Sequence, residues 1–339
     1  MNYKIKNIDS REEWANFEQK YSPHTFLHTW EWGLAQEALG YKIFRLGIYQ
    51  QNELEGIVFI YKIKAKRGSF LFCPHGPLIN YQEKNIFSEL VDYIKKLARQ
   101  EKVDFIRISP LLKNSQNNQK IFKSLGFRNA PIHMHPEIAW ILNIKADADR
   151  LLGDMKKRTR YSINKAQRDK VKIIKTKSLD YIDEFYNLYQ KTADRQDFVP
   201  FSKKYIQKEF EIFSSQDKAM MFFAYYQDVP IATAIIIFAN NSGFYHHGAS
   251  IRKFAKIPAA ELLQWEAILE AKSRDLKLYN FWGIAPVDKK KHPWRGLSRF
   301  KMGFGGFAEE YIHAQDLILS PKYFINYLIE SIRRIKRGY

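Results

Sequence analysis

Between residues 281 and 306 the chain reads Phe281-Trp282-Gly283-Ile284-Ala285-Pro286, then His292-Pro293-Trp294-Arg295-Gly296, then Phe300-Lys301-Met302-Gly303-Phe304-Gly305-Gly306. Glycine and proline at this density interrupt regular structure and let the backbone approach a ligand closely. The rings offer stacking surface, and Lys301 sets one point charge among them. Trp and Phe mostly fill cores, yet a core strand has no use for so many turn residues beside a lysine. The run reads as a ligand-binding loop centred on Phe300 and Lys301.

A second feature suits anions. Residues 156–170 hold seven basic residues and one acidic one. No proline interrupts them, and Tyr161, Ile163 and Ala166 break the charge, so a helix is predicted with Lys157, Arg160 and Lys165 along its surface. Such a helix can follow a phosphate backbone without reading bases; a merely solvated helix is the other reading. The whole chain carries 55 basic against 36 acidic residues, a formal net charge of +19. Polyanions are the partners this favours: nucleic acid, anionic lipid headgroups or phosphorylated substrates. The basic cluster Arg333-Arg334-Ile335-Lys336-Arg337 reads as a solvated tail, with a membrane surface as the alternative.

Other chemistry is excluded or not announced. Cys73 is the one cysteine, so there is no intramolecular disulfide and no thiolate-built metal site. The first residues lack the apolar segment of a signal peptide, and no stretch approaches the ~20 apolar residues of a membrane helix. A cytoplasmic protein is expected. There is no paired-carboxylate signature and no nucleophile elbow. His75, His246, His247 and His292 are available as bases, and none is singled out.

The elements that must position these residues come in two copies. Residues 44–50 resemble 222–227, and the series continues in order: 56–63 with 231–239, 70–76 with 244–248, the helical 86–101 with 258–275, 103–109 with 278–284, and 122–127 with 300–304. An ordered series of matches implies a duplicated unit. Each copy alternates β and α, so the fold class is α/β (α+β): mixed sheets flanked by helices. The order resembles the acetyltransferase-type (GNAT) fold in tandem. The expected domains are residues 1–147, completed by 313–339, and 148–312. The second copy, with the denser motif, is expected to hold the reactive end.

Together these runs resemble the Fem (FemABX) family of peptidyltransferases of bacterial cell-wall synthesis, over essentially the whole chain. The resemblance is carried by Phe26-Leu27-His28-Thr29-Trp30-Glu31-Trp32-Gly33 with Gly40-Tyr41, by Pro74-His75-Gly76-Pro77, and by Lys157…Arg160…Ile163-Asn164-Lys165-Ala166. Thr192…Arg195…Phe198, Gly248-Ala249-Ser250 with Lys256, Trp265 and Ala271, and above all residues 281–306 complete it. It implies transfer of an amino acid from aminoacyl-tRNA to the stem-peptide amine of a peptidoglycan precursor, UDP-linked or lipid-linked, with no metal and no coenzyme. No long heptad stretch is present, so the compact type without a coiled-coil arm is expected. Asn80, Cys73 and Phe201 depart from the family pattern and leave the form of the acceptor open.

Under this resemblance Lys301, beside Phe300, stabilises the oxyanion of the transfer. Trp30, Trp32, Trp282 and His292 are candidates for holding substrate, as are the Tyr205 and Tyr245 hydroxyls. Arg195 is a candidate fork onto phosphate. Lys157, Arg160, Lys165 and Lys256 are candidates for tRNA phosphates. A monomer is expected, with peripheral contact with the inner membrane surface as the alternative to a solvated tail. Two rivals remain: an acyl-CoA-dependent N-acyltransferase and a non-enzymatic RNA-binding protein.

Overall fold

Near-continuous apolar, Ile-rich runs such as residues 231–238 pleat well when both faces are covered, and they form the central strands of two separate sheets. The structure, a computed structural model, describes residues 3–65, 68–83, 85–289 and 291–337. The chain divides into two units: Met1–Ile138 with Pro286–Pro293 and Glu309–Tyr339, and Ala139–Ala285 with Trp294–Ala308.

The first unit contains β1 (Lys4–Asn7), α1 (Arg11–Tyr21), α2 (Trp30–Ala38), β2 (Lys42–Gln50), β3 (Glu53–Ala65), β4 (Gly68–Pro74), β5 (Leu78–Ile79), α3 (Ile86–Gln100), β6 (Phe105–Ser109), α4 (Gln116–Ser124) and β7 (Arg128–Asn129). The second is built on β8 (Ile138–Asn143), α5 (Ala148–Asp154), α6 (Lys157–Arg168), β9 (Lys172–Thr176), α7 (Ile182–Gln196), α8 (Lys203–Ser214), β10 (Ala219–Tyr226), β11 (Val229–Ala239), β12 (Ser242–Ser250), α9 (Ala259–Ser273), β13 (Leu278–Gly283), α10 (Arg295–Lys301) and β14 (Phe307–Glu310). The chain then returns to the first unit with β15 (Gln315–Ile318) and α11 (Tyr323–Arg337).

The first sheet runs β1-β2-β3-β4-β6-β15-β7, with β5 on β3; the second, read from its other end, runs β9-β10-β11-β12-β13-β8-β14. Each has a three-strand antiparallel meander, then a parallel pair, β4/β6 or β12/β13, joined through α3 or α9. The duplicated segments therefore occupy equivalent places in two mixed sheets. The strand beside the parallel pair comes from a distance in both units: β15 lies on β6, and β8 lies on β13 with Tyr279 opposite Leu142. The expected boundary at 147/148 had grouped β8 with the first unit; its ladder puts it in the second sheet.

Amphipathic helices cover the sheets. In α3 the buried residues Ile86, Phe87, Leu90, Val91, Ile94 and Ala98 recur at helical spacing. They join Leu46, Val58, Leu71 and Ile106 in the first core; Phe222, Ile236, Leu262, Phe281 and Phe304 lie in the second. The basic cluster expected as a solvated tail is instead helical, the end of α11. Among the described residues no helix is long and apolar enough to cross a membrane.

Candidate active site

The two copies differ where their parallel strands meet. In the first unit β4 and β6 stay paired from Phe70↔Phe105 to Pro74↔Ser109. In the second, β12 and β13 pair from Ser242↔Leu278 only as far as Phe244↔Asn280, although both strands continue. Beyond that point the parallel register ends, with Tyr245, His246 and His247 following on one strand and Trp282 and Gly283 on the other. Irregularities flank it: the β11/β12 register shifts between Ile235 and Ile236, and the β13/β8 register between Asn280 and Gly283. Such bulges redirect side chains and backbone groups.

Trp282 sits in the second irregularity at φ 66°. A bulky residue rarely visits this left-handed region, at a cost of about 1–3 kcal/mol. The Asn280 side-chain oxygen accepts the Trp282 N–H at 2.8 Å, and the ring meets Phe244 and His246 edge-on at 6.1 and 6.2 Å. The next carbonyl, that of Gly283, accepts a 2.6 Å hydrogen bond from Lys301 Nζ.

Lys301 ends α10 and is 4% exposed. Among the described residues no carboxylate pairs with it. Its Nζ lies 5.9 Å from the centre of the Tyr245 ring, within cation–π range. Burial pushes its pKa down to about 7 and pushes the Tyr245 phenol up to about 12. Phe300 packs edge-on against Phe304 at 5.4 Å. The preceding loop is closed by Ser298, whose hydroxyl accepts the Ala285 N–H and donates to the Trp294 carbonyl, both at 2.8 Å. The turn after Lys301 carries the start of the basic helix: the Lys156 N–H donates to the Gly303 carbonyl at 2.9 Å, and a Cβ on Gly303 would run into Thr159 Oγ1. Gly306, at φ 98°, lies where a Cβ would strike the Ile141 carbonyl. The two strongest sequence features are thus one structural assembly.

Of the expected site residues, the fold brings Lys301, Phe300, Tyr245 and Trp282 together. Tyr205 is linked to β12 through Phe201, which stacks on it at 4.6 Å and meets His247 edge-on at 5.7 Å. Lys157 and Lys256 are exposed, as are Arg158 and Arg168. Others are committed elsewhere. Arg160 Nη1 donates to the Gly153 and Met155 carbonyls, both at 2.6 Å, and caps α5 instead of facing tRNA. Lys165 is paired with Asp169 one helical turn on. Arg195 Nη1 donates to the Ser250 carbonyl at 2.8 Å, which Thr192 also binds, so its fork secures the end of β12 rather than standing open to phosphate. Trp32 is 2% exposed and packed against Phe26. The Trp30 face is occupied by the Arg45 guanidinium at 3.8 Å, which also donates to the Trp30 carbonyl. Both tryptophans are structural in the first unit. His292 lies in the segment that joins the first unit, where burial and Lys289 lower its pKa.

One constellation was not anticipated. Glu209 of α8 is buried, with His246 Nε2 3.0 Å and His247 Nε2 3.3 Å from its Oε1. Adjacent strand residues normally face opposite ways; the irregularity at β12 turns both imidazoles the same way, ring centres 3.9 Å apart. The His-His pair was visible in the sequence, but nothing there linked it to Glu209. Burial, reinforced by His246, lowers the His247 pKa to about 4. As pH falls from about 6.5 to 4 the unfolded chain takes up a proton that folded His247 refuses, so stability falls over that window. The expected result is a Tm that drops between pH 6.5 and 4.5, and less steeply in His247→Gln, read by circular dichroism. An equal slope in the two proteins would show that His247 is not the group refusing the proton.

A model of the FemAB family matches residues 10–227 and 221–330. The chain belongs to the FemAB family. Lipid II:glycine glycyltransferases of Staphylococcus epidermidis and Staphylococcus aureus are 18% and 19% identical to it; the alignments cover 96% of this chain and 95% and 94% of theirs. A crystal structure of FemX matches with a TM-score of 0.84 at 18% identity, over 96% of this chain and 100% of that one. A tandem GNAT protein from the clavulanic acid biosynthesis pathway matches at 0.60 and 8%, over 94% and 99%. The tandem GNAT-like fold is thereby established, and this FemAB member is a transferase.

Proposed function

We propose that this FemAB protein transfers an amino acid from aminoacyl-tRNA to the stem-peptide amine of a peptidoglycan precursor. The observation that carries the reading is Lys301: a buried ammonium that no carboxylate meets among the described residues, at the point where β12 and β13 part. Burying a cation this way is costly unless an anionic group meets it in the working complex. The glycyltransferase activity named for the staphylococcal relatives supplies the reaction class.

Aminoacyl-tRNA is an activated ester, so the acceptor amine attacks its carbonyl carbon directly. The C–N bond forms, a tetrahedral oxyanion develops, and the C–O bond to the terminal ribose breaks; the proton lost by nitrogen ends on the ribose hydroxyl. No covalent enzyme intermediate is needed. In this reading Lys301 donates to the oxyanion, a role supported by the Gly283 carbonyl that accepts from its Nζ. Alignment of two large substrates contributes much of the remaining acceleration. The exposed Lys157 and Arg158, at the start of a helix anchored beside the Lys301 turn, supply phosphate contacts for tRNA. The acyl-CoA rival is disfavoured because residues 303–306 lead into β14, not into a helix N-terminus that could cradle a pyrophosphate.

The test is incubation with mixed charged tRNAs and both precursor forms, with products weighed by mass spectrometry. An acceptor heavier by one or more amino-acid residues supports the reading; acetyl-CoA consumption without any response to tRNA overturns it. In Lys157→Glu/Arg158→Glu, KM for aminoacyl-tRNA is expected to rise about tenfold, and its salt dependence to weaken by a log–log slope of about 2, for two lost phosphate contacts. An unchanged KM would place the tRNA elsewhere.

A further inference from the structure

Helix α11 is built inside out. Its inward side carries Tyr323, Asn326 and Glu330, all buried. Glu330 Oε2 accepts from Arg107 Nη2 at 2.8 Å, and the Tyr323 hydroxyl donates to Asp316 Oδ2 at 3.0 Å, so buried polar bonds fix which side of the helix faces the core. The outward side carries Phe324, Ile325, Leu328, Ile332 and Ile335, between 45% and 74% exposed. At 100° per residue these five fall within an arc of roughly 100°. Folding alone selects the opposite arrangement, because apolar area gains from leaving water. Such a stripe marks an interaction surface.

The charges around the stripe say what covers it. Lys322, Arg333, Arg334 and Lys336 are exposed on or beside the helix. The one acidic residue in α11, Glu330, is buried against Arg107. The exposed charges that α11 itself carries are therefore all positive, in a chain of net charge +19. A second copy docking through the same stripe would bring two basic rims together. A surface that is both apolar and negatively charged suits this helix, and a bilayer rich in anionic headgroups is both: the apolar side chains enter at the acyl boundary while Lys and Arg meet the headgroups.

We infer that the outward face of α11 docks this protein onto an anionic lipid surface. The inference stands on the helix alone; it rests on the proposed function only in that a lipid-linked acceptor would be met at that surface.

The test is co-sedimentation of the full chain with vesicles of phosphatidylglycerol and phosphatidylcholine in equal parts, against phosphatidylcholine alone. At least about tenfold tighter partitioning onto the anionic vesicles is expected, weakening as salt is raised. Leu328→Glu and Ile335→Glu, at exposed positions, are expected to lose about tenfold in partitioning with Tm unchanged. Equal binding to the two vesicle types, or variants that bind like the parent, would overturn the inference. So would lipid-free dimerisation of the parent that Leu328→Glu abolishes, because the stripe would then be a self-interface. Sedimentation needs neither tRNA nor acceptor, so vesicle binding without transfer would count against the function alone, and transfer without vesicle binding against the docking alone.

Discussion

Lys301→Met is expected to lower kcat for amino-acid transfer about 10²–10³-fold, as loss of one oxyanion donor does, with little change in either KM. The same variant is expected to gain stability. The folded pKa of about 7 lies below the ordinary lysine value, so burial of the ammonium opposes folding in full below pH 7. Between pH 7 and about 10 the unfolded chain keeps a proton that the folded chain has released, and wild-type stability rises with pH. Methionine, similar in shape and uncharged, removes both the cost and this rise. Lost activity with a raised Tm at pH 6.5 cannot come from misfolding. The pH profile supplies a third readout. Neutral acceptor amine increases with pH toward its ordinary value near 10.4, while protonated Lys301 declines above about 7; wild-type kcat/KM should rise to about pH 7 and then level off. In Lys301→Met it should keep rising through pH 8.5. A variant with wild-type turnover would remove Lys301 from the chemistry.

Arg107→Met is expected to cost about 3–5 kcal/mol of stability in the first unit. The guanidinium is fully buried, donating from Nε to Asp316 Oδ1 at 2.7 Å, and from Nη2 to Asp316 Oδ2 and Glu330 Oε2, both at 2.8 Å. Removing it leaves two carboxylates in a low-dielectric interior without a counter-charge. Burial already pushes the Asp316 pKa up, and Arg107 is what restrains it. Without Arg107 the Asp316 carboxyl, already pushed up by burial, would fold protonated, so the deficit should shrink from pH 8 to pH 5. Urea unfolding at the two pH values measures this, and a loss below 1 kcal/mol at pH 8 would mean the network does little to hold β6, β15 and α11 together. Asp316→Asn with Glu330→Gln in the same chain should recover part of the loss.

Much of the architecture was legible because it is local. Alternating apolar runs and helical spacing mark β2, β3, α3 and their partners β10, β11 and α9, and the repeated order reveals duplication. Strand exchange was not legible: β8 and β15 each reach their sheet across distant sequence, and ladder partners leave no local mark. The site divided the same way. Residues 281–306 and the basic helix announced themselves by composition. Arg160 and Arg195 could not be told from ligand-binding arginines, because a backbone carbonyl and a phosphate oxygen attract the same fork. Glu209 lay far from His246 in sequence, and only the irregularity in β12 turns both histidines toward it. The exposed stripe of α11 was hidden for a related reason: its apolar residues could have faced the core, and the buried Arg107 network is what turns them out.

Composition and order alone determined a duplicated α/β chain with a glycine- and aromatic-rich run around one lysine. They did not determine what that lysine does. Phe122-Lys123 and Phe300-Lys301 are echoes of one another, yet Lys123 is exposed and Lys301 is buried. The difference lies in the sheets: β4 and β6 stay paired along their length, whereas β12 and β13 separate after Phe244 and Asn280, and the Gly283 carbonyl freed there receives the ammonium. Burial of a charge is decided by strands brought together over long chain distances, which is why tertiary structure alone could settle it.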